Sequence, residues 1–294
     1  MVFHKLVDIV PIGWADALVE HGVKNPQRLR RILCKLHPAM LQKVGEKKAL
    51  HAFHKAAEHV PSYKKFLKAN NIDPRVIHSM HAFDHVIPAT DKDSYIKTAD
   101  CLKDLCIDQN LEDAEMLVRS SGFSGKPMTW ARSRKEEEMA KHFATIGLSS
   151  LFHIDKYKTL FINAFALGSW VSGVDLLKVT DEQTTTINPG LEQDEVINIV
   201  QEIAPQFDQI IIASNPPFLK NVIEKGKEEG VNWKNMRVNL LSGGEPITEE
   251  WRDYLYSQLG ADHKSRGNGY IYSGFGASDI GIIGVYETAD AVDI

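Results

Sequence analysis

Apolar residues recur every three or four positions through 15–21, 25–36, 38–59 and 62–70. Roughly the first hundred residues therefore read as a succession of helices, separated at Gly22, Pro26, Pro38 and Pro61. From about Met116 the rhythm changes. Residues 158–165, 209–213 and 236–241 are short continuous apolar runs, the pattern of strands buried on both faces. Helical periodicity returns between them at 194–203 and 218–229, and again after Thr248, a good helix cap, with Gly260 as its stop. Strand and helix in alternation predict an α/β fold, a mostly parallel sheet with helices on both faces. Residues 1–110 are expected to form a mostly helical lead-in packed on the core, and 111–294 the α/β core itself. No internal repeat or low-complexity linker interrupts either part.

Composition narrows the partners. The 294 residues carry a net charge of −5. Basic clusters such as Arg28, Arg30 and Arg31, or Lys64 and Lys65, are broken by apolar residues and read as solvated helix faces, so nucleic acid is not an expected partner. His51, His54 and His59 lack a carboxylate partner pattern and read as packing or surface histidines rather than metal ligands. The three cysteines, Cys34, Cys101 and Cys106, are odd in number and have no metal spacing, which points to a reducing, cytoplasmic compartment. Asp8, Asp16 and Glu20 break the early hydrophobic stretches. No window reaches the roughly 20 apolar residues of a membrane span, so a soluble protein without a membrane partner is expected.

Candidate chemistry sits in four glycine- and hydroxyl-bearing segments. In Arg119-Ser120-Ser121-Gly122-Phe123-Ser124-Gly125-Lys126-Pro127, glycines let backbone amides approach an anion, hydroxyls donate and the lysine supplies charge, a phosphate-gripping composition. It is not a Walker A loop: Ser120 stands where the first glycine is needed, and Pro127 follows the lysine where a magnesium-binding hydroxyl belongs. Ser242-Gly243-Gly244-Glu245-Pro246 closes a strand ahead of a helix, at the sheet edge where open α/β folds bind ligands, and equally fits a plain tight turn. Tyr272-Ser273-Gly274-Phe275-Gly276-Ala277-Ser278-Asp279 is a second glycine-rich run. Asn163-Ala164-Phe165-Ala166-Leu167-Gly168-Ser169-Trp170 follows a strand and fits either a pocket wall or core packing. Neither a Gly-x-Ser-x-Gly elbow nor a His-Arg-Asp loop is present, which argues against hydrolase and protein-kinase readings.

In their order along the chain the four segments resemble those of adenylate-forming enzymes, in particular phenylacetate–CoA ligase and its relatives in the acyl-CoA synthetase superfamily. The lead-in adds His59-Val60-Pro61-Ser62-Tyr63 and Pro88-Ala89-Thr90-Asp91-Lys92-Asp93, so the resemblance runs from roughly residue 50 to about 285. It implies ATP-dependent activation of a carboxylic acid to an acyl adenylate, with CoA as acceptor, or an amine or protein thiol in its place. By the same resemblance Ser120, Ser121, Gly122, Phe123, Ser124, Gly125 and Lys126 would hold the ATP phosphates, and Gly243, Gly244, Glu245, Pro246, Phe275 and Gly276 the adenine. Ser278 would meet the α-phosphate, with Lys126 and Ser278 in the catalytic roles. Asp279 would hold magnesium, and Asn163, Phe165, Gly168 and Trp170 would line the acid's pocket.

Two residues depart from the family pattern: Phe275 replaces a tyrosine, and Asp279 replaces a glutamate one methylene longer. The family's later ribose-binding segment, hinge and lysine-bearing lobe have no counterpart, so the chain is expected to be the amino-terminal part of a longer protein and inactive alone. A nucleotide-binding or assembly module with impaired chemistry is the alternative. Relatives of this kind are often dimers, which makes a homodimer an expectation too.

Overall fold

The computed structural model describes residues 12–22, 25–120, 127–180, 183–260, 269–278 and 281–288. The chain divides into two compact units, Met1–Leu117 with Thr129–Arg134, and Val118–Met128 with Lys135–Ile294.

In the first unit the helices are α1 (Ile12–Gly22), α2 (Pro26–Leu33), α3 (Pro38–His59), α4 (Pro61–Ala69) and α5 (Met80–Val86). Prolines open α2, α3 and α4, where a missing N–H costs nothing. Val60, held extended at φ −103° and ψ 110° ahead of Pro61, separates α3 from α4. Phe53 and Ala57 of α3 pack with Phe66 and Leu67 of α4 and with Ile77. Around them Phe53 meets Phe83 edge-on at 5.3 Å, and Tyr63 stacks on Phe66 at 5.9 Å. Strands β1 (Ala114–Arg119) and β2 (Thr129–Ser133) form a two-stranded sheet.

The second unit holds β3 (Thr159–Asn163), β4 (Thr185–Ile187), β5 (Gln209–Ser214), β6 (Val238–Gly243), β7 (Ile271–Ala277) and β8 (Gly281–Tyr286) in the order β4-β3-β5-β6-β7-β8. Every pair is parallel except β7 with β8. All residues of β3 and β5 are buried, because helices cover both faces. On one face Leu160, Ile162, Ile210, Ile212, Leu240 and Ile271 pack against α8 (Gln193–Glu202), α9 (Pro216–Glu228) and α10 (Glu249–Leu259). On the other, Phe161, Ile211, Leu241 and Tyr272 pack against α6 (Arg134–Phe152) and α7 (Val171–Thr180). Each fully buried Leu or Ile here contributes about 1.5–3 kcal/mol before conformational entropy is subtracted. The α/β architecture with helices on both faces is thus the one the alternating pattern predicts. Thr248 caps α10, accepting from Trp251 N at 3.3 Å, and Gly260 ends it in the left-handed conformation.

Candidate functional site

From β3 the chain moves outward to β4, then crosses back to β5 and continues through β6 to β7. The direction of winding reverses between β3 and β5, and a crevice opens outside the carboxyl ends of such strands. At its floor Ala164 N donates to Ala213 O (2.9 Å), and the buried Ser214 Oγ donates to Ala164 O (2.6 Å).

The β3–α7 segment is shaped from beneath. Asn163 is fully buried, and its Nδ2 donates to Gly173 O (2.8 Å) and to Asn188 Oδ1 (2.9 Å). That amide ties the segment to α7 and to the loop after β4. Gly173 must be glycine, since a Cβ there would stand 2.2 Å from the Ala166 carbonyl oxygen. Held this way, Phe165 reaches across the crevice: a Cβ on Gly243 would lie 3.5 Å from Phe165 Cζ and 3.4 Å from the Gly274 carbonyl oxygen. Gly243 and Gly274 are register partners on β6 and β7. Gly244 follows at φ +88°, turning the chain toward α10, and leaves Glu245 and Pro246 exposed. Phe275 is 63% exposed, Gly276 is exposed and Ser278 half-buried in the turn after β7.

The base of the serine- and glycine-rich loop joins the same edge. Ser120 N donates to Met128 O (2.9 Å), and Ser120 Oγ accepts from Met128 N (3.0 Å), closing the loop at its neck. Arg119 N donates to Ser169 O (2.8 Å), and Arg119 bridges Trp170, so the neck is fixed to the segment that carries Phe165. Trp170 is half-buried, and its carbonyl accepts from Val174 N at the start of α7, whereas Gly168 is exposed at φ +94°. Ser121, Gly122, Phe123, Ser124, Gly125, Lys126 and Asp279 lie outside the described residues.

The turn after β6 carries Glu245, Glu249 and Glu250 within six residues. Its own backbone N–H and the Thr248 hydroxyl hold the Glu250 carboxyl below the usual carboxylate range. Capped by Thr248 and faced by its own acids, the α10 amino terminus has little left for an anion.

The sequence reading missed the residues that hold the site rather than face it. Asn188 and Gly173 fix Asn163. The fully buried Arg252 bonds Glu249, Glu287 and the Ile271 carbonyl. A lone arginine on an otherwise amphipathic helix gives no local sign of burial. Among the described residues no three His, Cys, Asp or Glu side chains gather into a metal site, and no helix is long and apolar enough to cross a membrane.

This architecture is that of the large domain of adenylate-forming enzymes. The solved structures it resembles include 2-hydroxyisobutyryl-CoA ligase in an open conformation with 2-HIB-AMP and CoA, at a TM-score of 0.71 and 14% identity over 87% of this chain and 58% of that one. The same ligase with 2-HIB-AMP in its postadenylation state gives a TM-score of 0.72 and 14% identity over 87% of this chain and 53% of that one. The chain therefore spans between 53% and 58% of the ligase chains it matches. At this identity the likeness establishes the fold. No protein-family model and no curated protein matches the sequence.

Proposed function

We propose that this chain supplies the phosphate- and adenine-binding part of an enzyme that activates a carboxylic acid with ATP and passes the acyl group to CoA. The observation that carries the reading is the convergence at one sheet edge of four separate segments: the neck of the Ser/Gly/Lys loop, the Phe165 segment, the Gly243–Gly244 turn and the end of β7. The fold it shares with a ligase bound to an acyl-AMP and CoA supports it further. The acid-rich turn after β6 repels a triphosphate but tolerates a neutral base, so adenine belongs against Gly243, Gly244, Glu245, Pro246, Phe275 and Gly276. The phosphates then belong toward Ser120, Ser121, Gly122, Phe123, Ser124, Gly125 and Lys126. Phe165, Gly168 and Trp170 would wall the acid's pocket, with Asn163 as the brace beneath it.

The chemistry asks for positioning and charge neutralisation. A substrate carboxylate attacks the α-phosphate in line, pyrophosphate leaves, and the thiol of CoA then displaces AMP from the acyl adenylate. Lys126 would neutralise charge on the departing phosphates, and the Ser278 hydroxyl would donate to the α-phosphate. Magnesium fits a donor set of this kind, because it takes most of its ligands from phosphate and water and needs only one or two carboxylates from the protein, here Asp279. Bound there it would offset phosphate charge.

The test is carboxylate-dependent ATP–pyrophosphate exchange in the protein purified from its source cells. Exchange with a carboxylic acid is expected, and Lys126→Ala is expected to slow it by about a hundredfold. Unchanged exchange in that variant removes Lys126 from its role. ATP binding with no exchange for any acid would favour the second reading, a nucleotide-binding module with lost chemistry, which the substitutions at Phe275 and Asp279 motivate.

A further inference from the structure

Antiparallel β8 covers only the later part of β7, with pairs at Gly274, Phe275 and Ala277. Upstream, side chains complete the ladder. Ile271 N donates to Tyr256 Oη (3.0 Å), and Ile271 O accepts from Arg252 Nη1, so α10 occupies both backbone groups at the start of β7. Ser273 O accepts from Glu287 N (3.0 Å), but Ser273 N donates to Glu287 Oε2 (2.7 Å), a carboxylate standing where a ladder would place a carbonyl. The other Glu287 oxygen accepts from Arg252 Nη2 at 2.8 Å. Arg252 also grips Glu249 through Nε (3.0 Å) and Nη2 (3.2 Å).

These contacts span both edges of the candidate base site. Glu249 opens α10, directly behind the Gly243–Pro246 turn. Ser273 directly precedes Gly274 and Phe275. One guanidinium, fully buried, is thus bonded to the foot of the first loop and, through Glu287, to the foot of the second. Burial opposes its charge, and the carboxylates of Glu287 and Glu249 outweigh that, raising its pKa above the ordinary guanidinium value. A buried ion pair of this kind is a poor source of net stability, since desolvation consumes most of the attraction, but its planar fork fixes direction in a way that an apolar side chain of equal volume does not.

We propose that Arg252, with Glu249 and Glu287, is a positioning residue that holds the turn at 243–246 and the run at 274–278 in fixed relation, so that a neutral nucleobase fits between them. The inference rests on the nucleotide-site reading for its ligand, and on the contacts of Arg252 for its clamp.

The experiment pairs two measurements on the full chain, for the unaltered protein and for Arg252→Met, Arg252→Lys and Glu287→Gln. Hydrogen exchange without ligand reads the clamp, and calorimetric titration with ATP reads the site. In Arg252→Met, exchange is expected to rise together at 243–246 and 274–278 while β5 stays protected, and ATP to bind about tenfold more weakly. Lysine, a point charge, should restore only part of this. Glu287→Gln, which keeps size but withdraws one acceptor from Arg252 Nη2 or Ser273 N, should loosen both segments even if Arg252→Met does not fold. Unchanged exchange at the two segments, or a rise that β5 shares equally, overturns the clamp. If the unaltered protein binds no ATP, the nucleobase is withdrawn as ligand and the nucleotide-site reading falls, while the exchange pattern still decides the clamp.

Discussion

Ser214, Ser242 and Ser273 occupy one row of the sheet, in register on β5, β6 and β7, yet their hydroxyls meet different fates. Ser214 Oγ has the Ala164 carbonyl at 2.6 Å, whereas Ser242 Oγ is buried with no hydrogen-bond partner among the described residues. Removing a bonded hydroxyl costs roughly 1 kcal/mol, and removing an orphaned one returns its desolvation cost. Ser214→Ala is therefore expected to destabilise by about 1 kcal/mol and Ser242→Ala to be neutral or to stabilise by up to about 1 kcal/mol, read from urea unfolding midpoints. Equal losses in the two variants would contradict this account. Glycines in the same region differ just as sharply. A Cβ at Gly173 would enter the space of a backbone carbonyl, while at Gly243 it would make only ordinary contact with Phe165 and Gly274. The family resemblance set both Asn163 and Phe165 along the acid's pocket, and the residues themselves fitted a pocket wall or core packing equally. The structure turns the Asn163 amide inward onto Gly173 and Asn188 and sends the Phe165 ring across to β6. Residue type alone does not say which way a side chain leaves the end of a strand.

Among the elements, those with an unbroken apolar run or a clear cap were legible. Residues 209–213 read as a buried strand because β5 is covered on both faces, and Thr248 and Gly260 bracket α10 as capping rules require. Replacing Thr248 by alanine leaves the Trp251 amide without its side-chain acceptor, and a loss of about 1 kcal/mol is expected by chemical denaturation. A stability unchanged within error would show that solvent caps α10 as well as the hydroxyl does. Other elements escaped the pattern. β4 is only three residues long and none of them is fully buried, so it carries no apolar run. In α6 a charged start, Arg134 to Glu138, precedes a second half in which small and hydroxyl residues such as Ala144, Thr145, Gly147 and Ser149 are buried beside Ile146, Leu148, Leu151 and Phe152, and no single stripe runs its length.

At the scale of the whole molecule, stability should fall at alkaline pH for a reason that the helical unit supplies. Burial, with the nearby Tyr63 hydroxyl adding to it, pushes Tyr95 from the usual 10.0 up to about 12. A group whose pKa is raised on folding contributes fully below its unfolded value and loses that contribution as pH climbs to the folded one. The Tyr95 share should therefore be intact below pH 10 and gone near pH 12. Unfolding midpoints across that range should drop less steeply in Tyr95→Phe than in the unaltered protein, and parallel slopes would refute the assignment. The sequence by itself determined the α/β class, the position of the main strands and the glycine-rich segments that end at the sheet's carboxyl edge, because burial and turn geometry leave periodic and compositional traces along the chain. Only the tertiary structure decided the order β4-β3-β5-β6-β7-β8, the reversal between β3 and β5 that opens the crevice, and the pairing of Arg252 with Glu287 across 35 residues. Local periodicity records that a residue is buried. Which neighbour it is buried against depends on how distant segments pack, and nothing in the spacing of residues encodes that.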